Sequence, residues 1–182
     1  MKKYCLKRTA WNITLASAIT LVAYIALYAI WGAILNSIEN PTLKLYMVAL
    51  MTTAAFGVVL LYISKIRTAL GEDELSADYE NSNYTSVAND FKLIIKREAS
   101  TLICMTVIVL LCFAVNELDV IIFGKKTLSL PTIIFAPMCL FDSAIKIPFV
   151  GYAVNVALDC VLYILFLLIY RKKKYNSWRK NG

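Results

Sequence analysis

The chain has 182 residues, 60% of them hydrophobic and 17% charged, with a formal net charge of +7 and a mean hydropathy of +0.67. A surface that apolar cannot be solvated by water, so a soluble domain is excluded and a bilayer is the expected solvent. Histidine is absent, which removes HExxH zinc sites, histidine-activated nucleophiles and histidine-ligated haem.

Apolar residues arrive in four blocks, each close to the roughly 20 residues that a helix needs to cross the hydrocarbon. The first covers 10–35, carries no charge, and has Asn12, Thr14, Ser17 and Thr20 as its non-aromatic polar residues. It outruns the apolar core of about 7 to 15 residues found in secretory signals, and it ends in bulky side chains, so it is read as a retained span. The short stretch 36–43, with Pro41, makes an antiparallel hairpin with the second block.

The second block covers 45–63, between Lys44 and Lys65. Ala49, Thr53 and Gly57 recur in it at four-residue spacing, a stripe of small residues that lets two helix backbones approach. The partner helix belongs either to this chain, to a second copy, or to another membrane subunit.

A connecting loop is expected over 64–98. It opens acidic (Glu72, Asp73, Glu74, Asp78, Glu80) and ends at 90–97 with Phe91, Ile94 and Ile95 set among Lys92, Lys96 and Arg97. That pattern fits a helix lying on an anionic membrane surface, or the lead-in turn of the next span. The third block covers 99–117 and extends in apolar character to 123.

The stretch after it is unusual because it is not polar. Glu117 and Asp119 precede an apolar run, 128–141, that contains Pro131 and Pro137. The run is too short and too broken for an ordinary span, so a re-entrant or interfacial segment is expected over 128–148. Asp142 and Lys146 stand at i, i+4 and can pair on a short helix.

The fourth block, 149–170, holds one carboxylate near its middle, Asp159, with Asn155 one turn before it and Tyr163 one turn after. Spacing of four puts all three on one helix face, and a charge at the centre of a span must face the bundle, take a proton or find a partner. The functional reading is a polar site for an ion, a proton or a small solute. The plain reading is helix glue, with Thr20, Tyr24, Thr52 or Thr53 as the bonding partner.

Basic residues set the expected topology. With the N-terminus inside, Lys2, Lys3, Lys7, Arg8, Lys65, Arg67, Lys92, Lys96, Arg97 and the tail from Arg171 lie on the cytoplasmic side, against only Lys44, Lys125, Lys126 and Lys146 outside. A fifth span over 128–144 would carry the basic tail across and dissolve that asymmetry. Of the five cysteines, Cys104, Cys112 and Cys160 fall in spans as small hydrophobes, Cys5 lies in the basic N-terminal stretch, and Cys139 is placed outside with no second external cysteine to pair with.

These readings converge on an all-α, polytopic membrane helical bundle. It is a single integral membrane domain over 1–182, with four transmembrane helices, a broken segment before the last, and both termini cytoplasmic. Its partners are the lipid bilayer and either another membrane subunit or a second copy, with no nucleic acid, cofactor, metal or catalytic residue expected. Short loops and the basic tail suit a prokaryotic inner membrane. The first functional expectation is a non-enzymatic accessory subunit or homo-oligomer. The second is a small transporter or channel using Asn155 and Asp159, and the third is an enzyme in which Glu117, Asp119 and Asp159 converge.

Overall fold

The computed structural model of the chain describes residues 6–66, 87–124, 133–139 and 148–181. They form a helical bundle: α1 (Leu6–Asn36), α2 (Pro41–Leu61) continued by a π turn (Tyr62–Ile66), α3 (Val87–Phe123) and α4 (Pro148–Asn181). A 3₁₀ turn, Ala136–Met138, precedes α4, and no strand occurs among the described residues. Four stretches are long and apolar enough to cross a membrane: Lys7–Ala26, Pro41–Ile66, Phe91–Phe123 and Phe149–Ser177.

Local chemistry accounts for the helix ends. Asn40 caps α2 by accepting from the Thr42 and Leu43 amides at 3.0 and 3.2 Å, and Pro41 occupies the first helical position, where its missing N–H is no loss. At the far end of α3, Gly124 takes a positive φ of 69° and its amide closes on the Val120 carbonyl at 2.9 Å, a left-handed cap that favours glycine.

The helices alternate in direction. The tight turn between α1 and α2 makes them antiparallel, and α3 and α4 touch through Glu98 with Tyr163 at one end and Asn116 with Tyr152 at the other. Lys65, near the end of α2, meets Glu98, near the start of α3, so α2 and α4 both run toward one end of the bundle, here termed the basic end. The core between the helices contains Ile13, Phe56, Leu60, Met105, Val109, Tyr163 and Leu167. Large apolar side chains also cover the outside, among them Val22, Ile25, Ile103, Leu111 and Val161. Helices apolar on both faces are what a lipid surround requires.

The helices reach further than the hydropathy blocks. Residues 64–66 belong to the π turn and 87–98 to α3, so the expected loop over 64–98 is shortened at both ends, and 90–97 is the lead-in to the third span rather than a separate surface helix. Charged side chains hid these ends, because hydropathy averages them against their apolar neighbours.

Part of the broken run lies against the bundle. The 3₁₀ turn Ala136–Met138 packs on α1, α2 and α4, Pro137 and Met138 are buried, and the Ser17 hydroxyl donates to the Ile134 carbonyl at 2.7 Å. Ser17 lies ten residues past Lys7, about 15 Å along α1 at 1.5 Å per residue. Irregular backbone at that depth needs such a partner for each polar group. Asp142 and Lys146 lie outside the described residues.

Candidate functional site

Helix α4 carries its buried polar residues on one line. Tyr152, Asn155, Asp159, Tyr163 and Arg171 recur at intervals of three, four or eight residues, and all are buried. A helix of 3.6 residues per turn keeps such positions on one face, and the packing of α2 and α3 against α4 covers that face. The result is a polar seam inside an otherwise apolar bundle.

At the end remote from the basic end, Asn116 donates its amide N–H to the Tyr152 hydroxyl. The Tyr152 ring stands edge-on to Phe113, with centroids 5.1 Å apart and planes at 64°. Phe113 meets Phe149 in the same manner at 6.3 Å. This aromatic group closes the seam on that side and fixes α3 against α4.

Toward the basic end the seam becomes ionic. Lys65 Nζ lies 2.6 Å from Glu98 Oε1, with side-chain exposures of 9% and 7%. The other Glu98 oxygen accepts from Tyr163 OH at 3.0 Å and from Thr101 Oγ1 at 3.1 Å. Three helices therefore meet on one carboxylate. A pair this far removed from water holds only where further hydrogen bonds satisfy the remaining lone pairs, as the two hydroxyls do here. Ser64 Oγ lies 3.4 Å from Tyr163 OH but makes its short bond, 2.6 Å, to the Leu60 carbonyl.

Between these two groups lies Asp159. It is 1% exposed, and neither carboxyl oxygen has a hydrogen-bond partner among the described residues. It stands ten residues past Phe149, about 15 Å along the helix and close to the middle of a hydrocarbon layer about 30 Å thick. Asn155 is fully buried one turn away. Thr53 is fully buried on α2, and its hydroxyl likewise has no partner among the described residues.

The level of Thr53 follows from Gly57. A Cβ at Gly57 would lie 3.2 Å from Cδ2 and Cε2 of Phe166 and 3.8 Å from the Tyr163 amide nitrogen, so Gly57 stands level with Tyr163. One turn back along each parallel helix, Thr53 is level with Asp159. Ala49, Thr53 and Gly57 are all buried, and at Gly57 the face meets α4 of the same chain. Each partner proposed for Asp159 on α1 and α2 is otherwise placed, except Thr53. Thr20 donates to its own Ala16 carbonyl at 2.8 Å and Thr52 to Val48 at 2.8 Å. Both line, with Tyr24, Ala23 and Ala55, a cavity of about 330 Å³ between α1 and α2.

Glu117 and Asp119 do not join Asp159. They follow Asn116, which meets Tyr152, and Tyr152 precedes Asp159 by seven residues, about 10 Å along α4. The Lys65–Glu98–Thr101 cluster was not singled out in the sequence. Its signal was present as opposite charges at the facing ends of the second and third blocks, on the side to which Tyr163 points the seam. Among the described residues no group of three or more acidic, cysteine or histidine side chains is arranged to hold a metal ion.

The arrangement is a buried acceptor that no donor meets among the described residues, one turn before Tyr163, whose hydroxyl bonds the carboxylate that also holds Lys65 and Thr101. A bare carboxylate at mid-span costs about 2.5–3.5 kcal/mol even on the lenient insertion scale. A proton or a small cation removes that cost. Compared with protein families, with characterised proteins and with solved structures, the chain matches none.

Proposed function

We propose that this chain is a multi-pass protein of the cell membrane, with both termini on the cytoplasmic side, and that it passes a proton or a small monovalent cation along the polar seam of α4. The observation that carries the reading is Asp159: a fully buried carboxyl with neither oxygen bonded among the described residues. Helix glue needs a bonded partner; Thr20 and Thr52 are committed to their own helix carbonyls, and Thr53, although level with Asp159, makes no bond to it. Intramembrane ionisable groups that face a bundle interior mark ion or proton pathways, and Glu98 with Lys65 adds two more beside the same seam. Orientation rests on the excess of lysine and arginine at the basic end.

The test is flux through the purified chain in vesicles. Proteoliposomes carrying an internal pH dye and an imposed potassium potential report protons, and replacement of internal dye by a sodium indicator reports sodium. Flux above empty vesicles that is lost in Asp159→Asn supports the reading. No flux of either cation from folded protein overturns it. A reporter fused after Gly182 tests the orientation, and an external signal overturns that part.

A second reading, an accessory subunit or homo-oligomer acting through helix packing, has the α1–α2 cavity in its favour, since small side chains at Ala23, Ala54 and Ala55 face it and suit a close-packed helix. The stripe on α2 does not add to that reading, because Gly57 is already occupied by Phe166 of this chain. A discrete oligomer or a co-purifying subunit, together with absence of flux, is the result that favours it.

A further inference from the structure

Sequence alone places Cys139 without a partner, since the other cysteines fall in spans or in the N-terminal stretch. The fold changes this. The broken run enters the bundle at 133–139, and the Cys139 side chain hydrogen-bonds with that of Cys112 on α3. Both are thiols in the structure. Cys112 is 2% exposed and belongs to the core cluster, against which Cys139 packs from its half-buried position.

We propose that Cys112 and Cys139 are an oxidative modification site, a thiol pair that closes to a disulfide and ties the broken segment to α3. Hydrogen-bonded thiols need only a short approach to reach bonding distance, and disulfides demand that the two backbones already be near. One backbone here is a regular helix. The other is a short 3₁₀ turn, Ala136–Met138, which Cys139 closes with a bond from its amide to the Ala136 carbonyl at 2.9 Å, so the approach can be made by this short segment without distorting α3.

The chemistry balances with a two-electron oxidant that reaches the site from lipid, a quinone. Each sulfur loses one hydrogen, the S–S bond forms, and the quinone takes up two electrons and two protons to become the quinol. Access is through Cys139, the more exposed of the two, and Cys112 then resolves. The segment otherwise rests on α1, α2 and α4 and on the hydrogen bond from Ser17. Oxidation adds a covalent link to the remaining helix.

The experiment uses full-length protein in which Cys5, Cys104 and Cys160 are replaced by alanine, treated in detergent with diamide or with a short-chain quinone, then denatured and labelled with a maleimide. The expected result is loss of both labels, their return with dithiothreitol, and a monomer mass lower by two hydrogens. Cys112→Ala and Cys139→Ala in that background keep one label after oxidant. In the wild-type chain, peptide mapping without reduction should find residues 112 and 139 in one linked pair, which guards against misfolding of the replaced background. Two labels surviving oxidant, or wild-type linkage confined to other cysteines or to separate chains, overturns the proposal.

Discussion

Lys65 and Glu98 form a buried ion pair, 2.6 Å between Nζ and Oε1, although each borders a different apolar block and the chain after Lys65 offers nearer carboxylates at Glu72, Asp73 and Glu74. Acidic residues near at hand in sequence would serve a solvated lysine equally well. What selects Glu98 is the meeting of the end of α2 with the start of α3, and the two hydroxyls from Thr101 and Tyr163 that complete the carboxylate's shell.

Removing one partner leaves a buried charge without its counterion. Lys65→Met and Glu98→Leu should each destabilise the protein by about 3–5 kcal/mol, while the double variant should recover much of that loss because no bare charge remains. Unfolding midpoints in mixed detergent and SDS provide the measurement. Two single losses that simply add in the double variant would show that the pair does not act as one unit.

Gly57 and Phe166 define the contact between α2 and α4. A methyl group at Gly57 meets the ring at 3.2 Å, closer than carbon atoms rest comfortably, near 3.5–4.0 Å. Overpacking of this kind costs about 1–3 kcal/mol, more than the roughly 1 kcal/mol that alanine gains over glycine in a helix. Gly57→Ala should therefore lower the unfolding midpoint, and Phe166→Leu in the same chain should restore it by vacating the space. A Gly57→Ala protein as stable as the wild type would mean that the ring moves aside freely.

Four helices are legible in the sequence because a span is a property of one segment: about 20 apolar residues announce themselves without reference to anything else. The burial of Asp159 is legible for the same reason, since its depth is set by its own helix. Contacts between segments are a different matter. Hydropathy places Lys65 and Glu98 as loop boundaries, and nothing local says that they face each other. Thr20 and Thr52 have the right depth to meet Asp159 but the wrong rotation about their helix axes, which composition does not encode. Cys139 found a partner only once the broken run entered the bundle beside α3.

Asp159 separates its two readings by stability as well as by flux. Were the carboxyl a structural bond, Asp159→Asn would weaken it, and loss of an interhelical hydrogen bond averages about 0.6 kcal/mol. With no partner among the described residues, there is little to lose, and the neutral amide avoids the cost of a mid-span charge. Asp159→Asn should unfold at the same midpoint as the wild type or higher, with flux abolished. A lower midpoint, together with a wild-type chain that carries no flux, would return the residue to a packing role.

Ser17 tests whether residues 133–139 depend on the bundle for their place. Its hydroxyl is buried and donates to the Ile134 carbonyl at 2.7 Å, and irregular backbone in hydrocarbon tolerates few unpaired carbonyls. Ser17→Ala removes the donor and leaves the carbonyl unsatisfied, a loss of about 1–3 kcal/mol. Ser17→Leu also inserts bulk where the segment lies and should displace it. In a chain retaining only Cys139, maleimide labelling in the native state should then rise in the order wild-type Ser17, Ser17→Ala, Ser17→Leu, with α1 still inserted. Equal labelling in all three would show that Met138, fully buried in the core, anchors the segment without help from the hydroxyl.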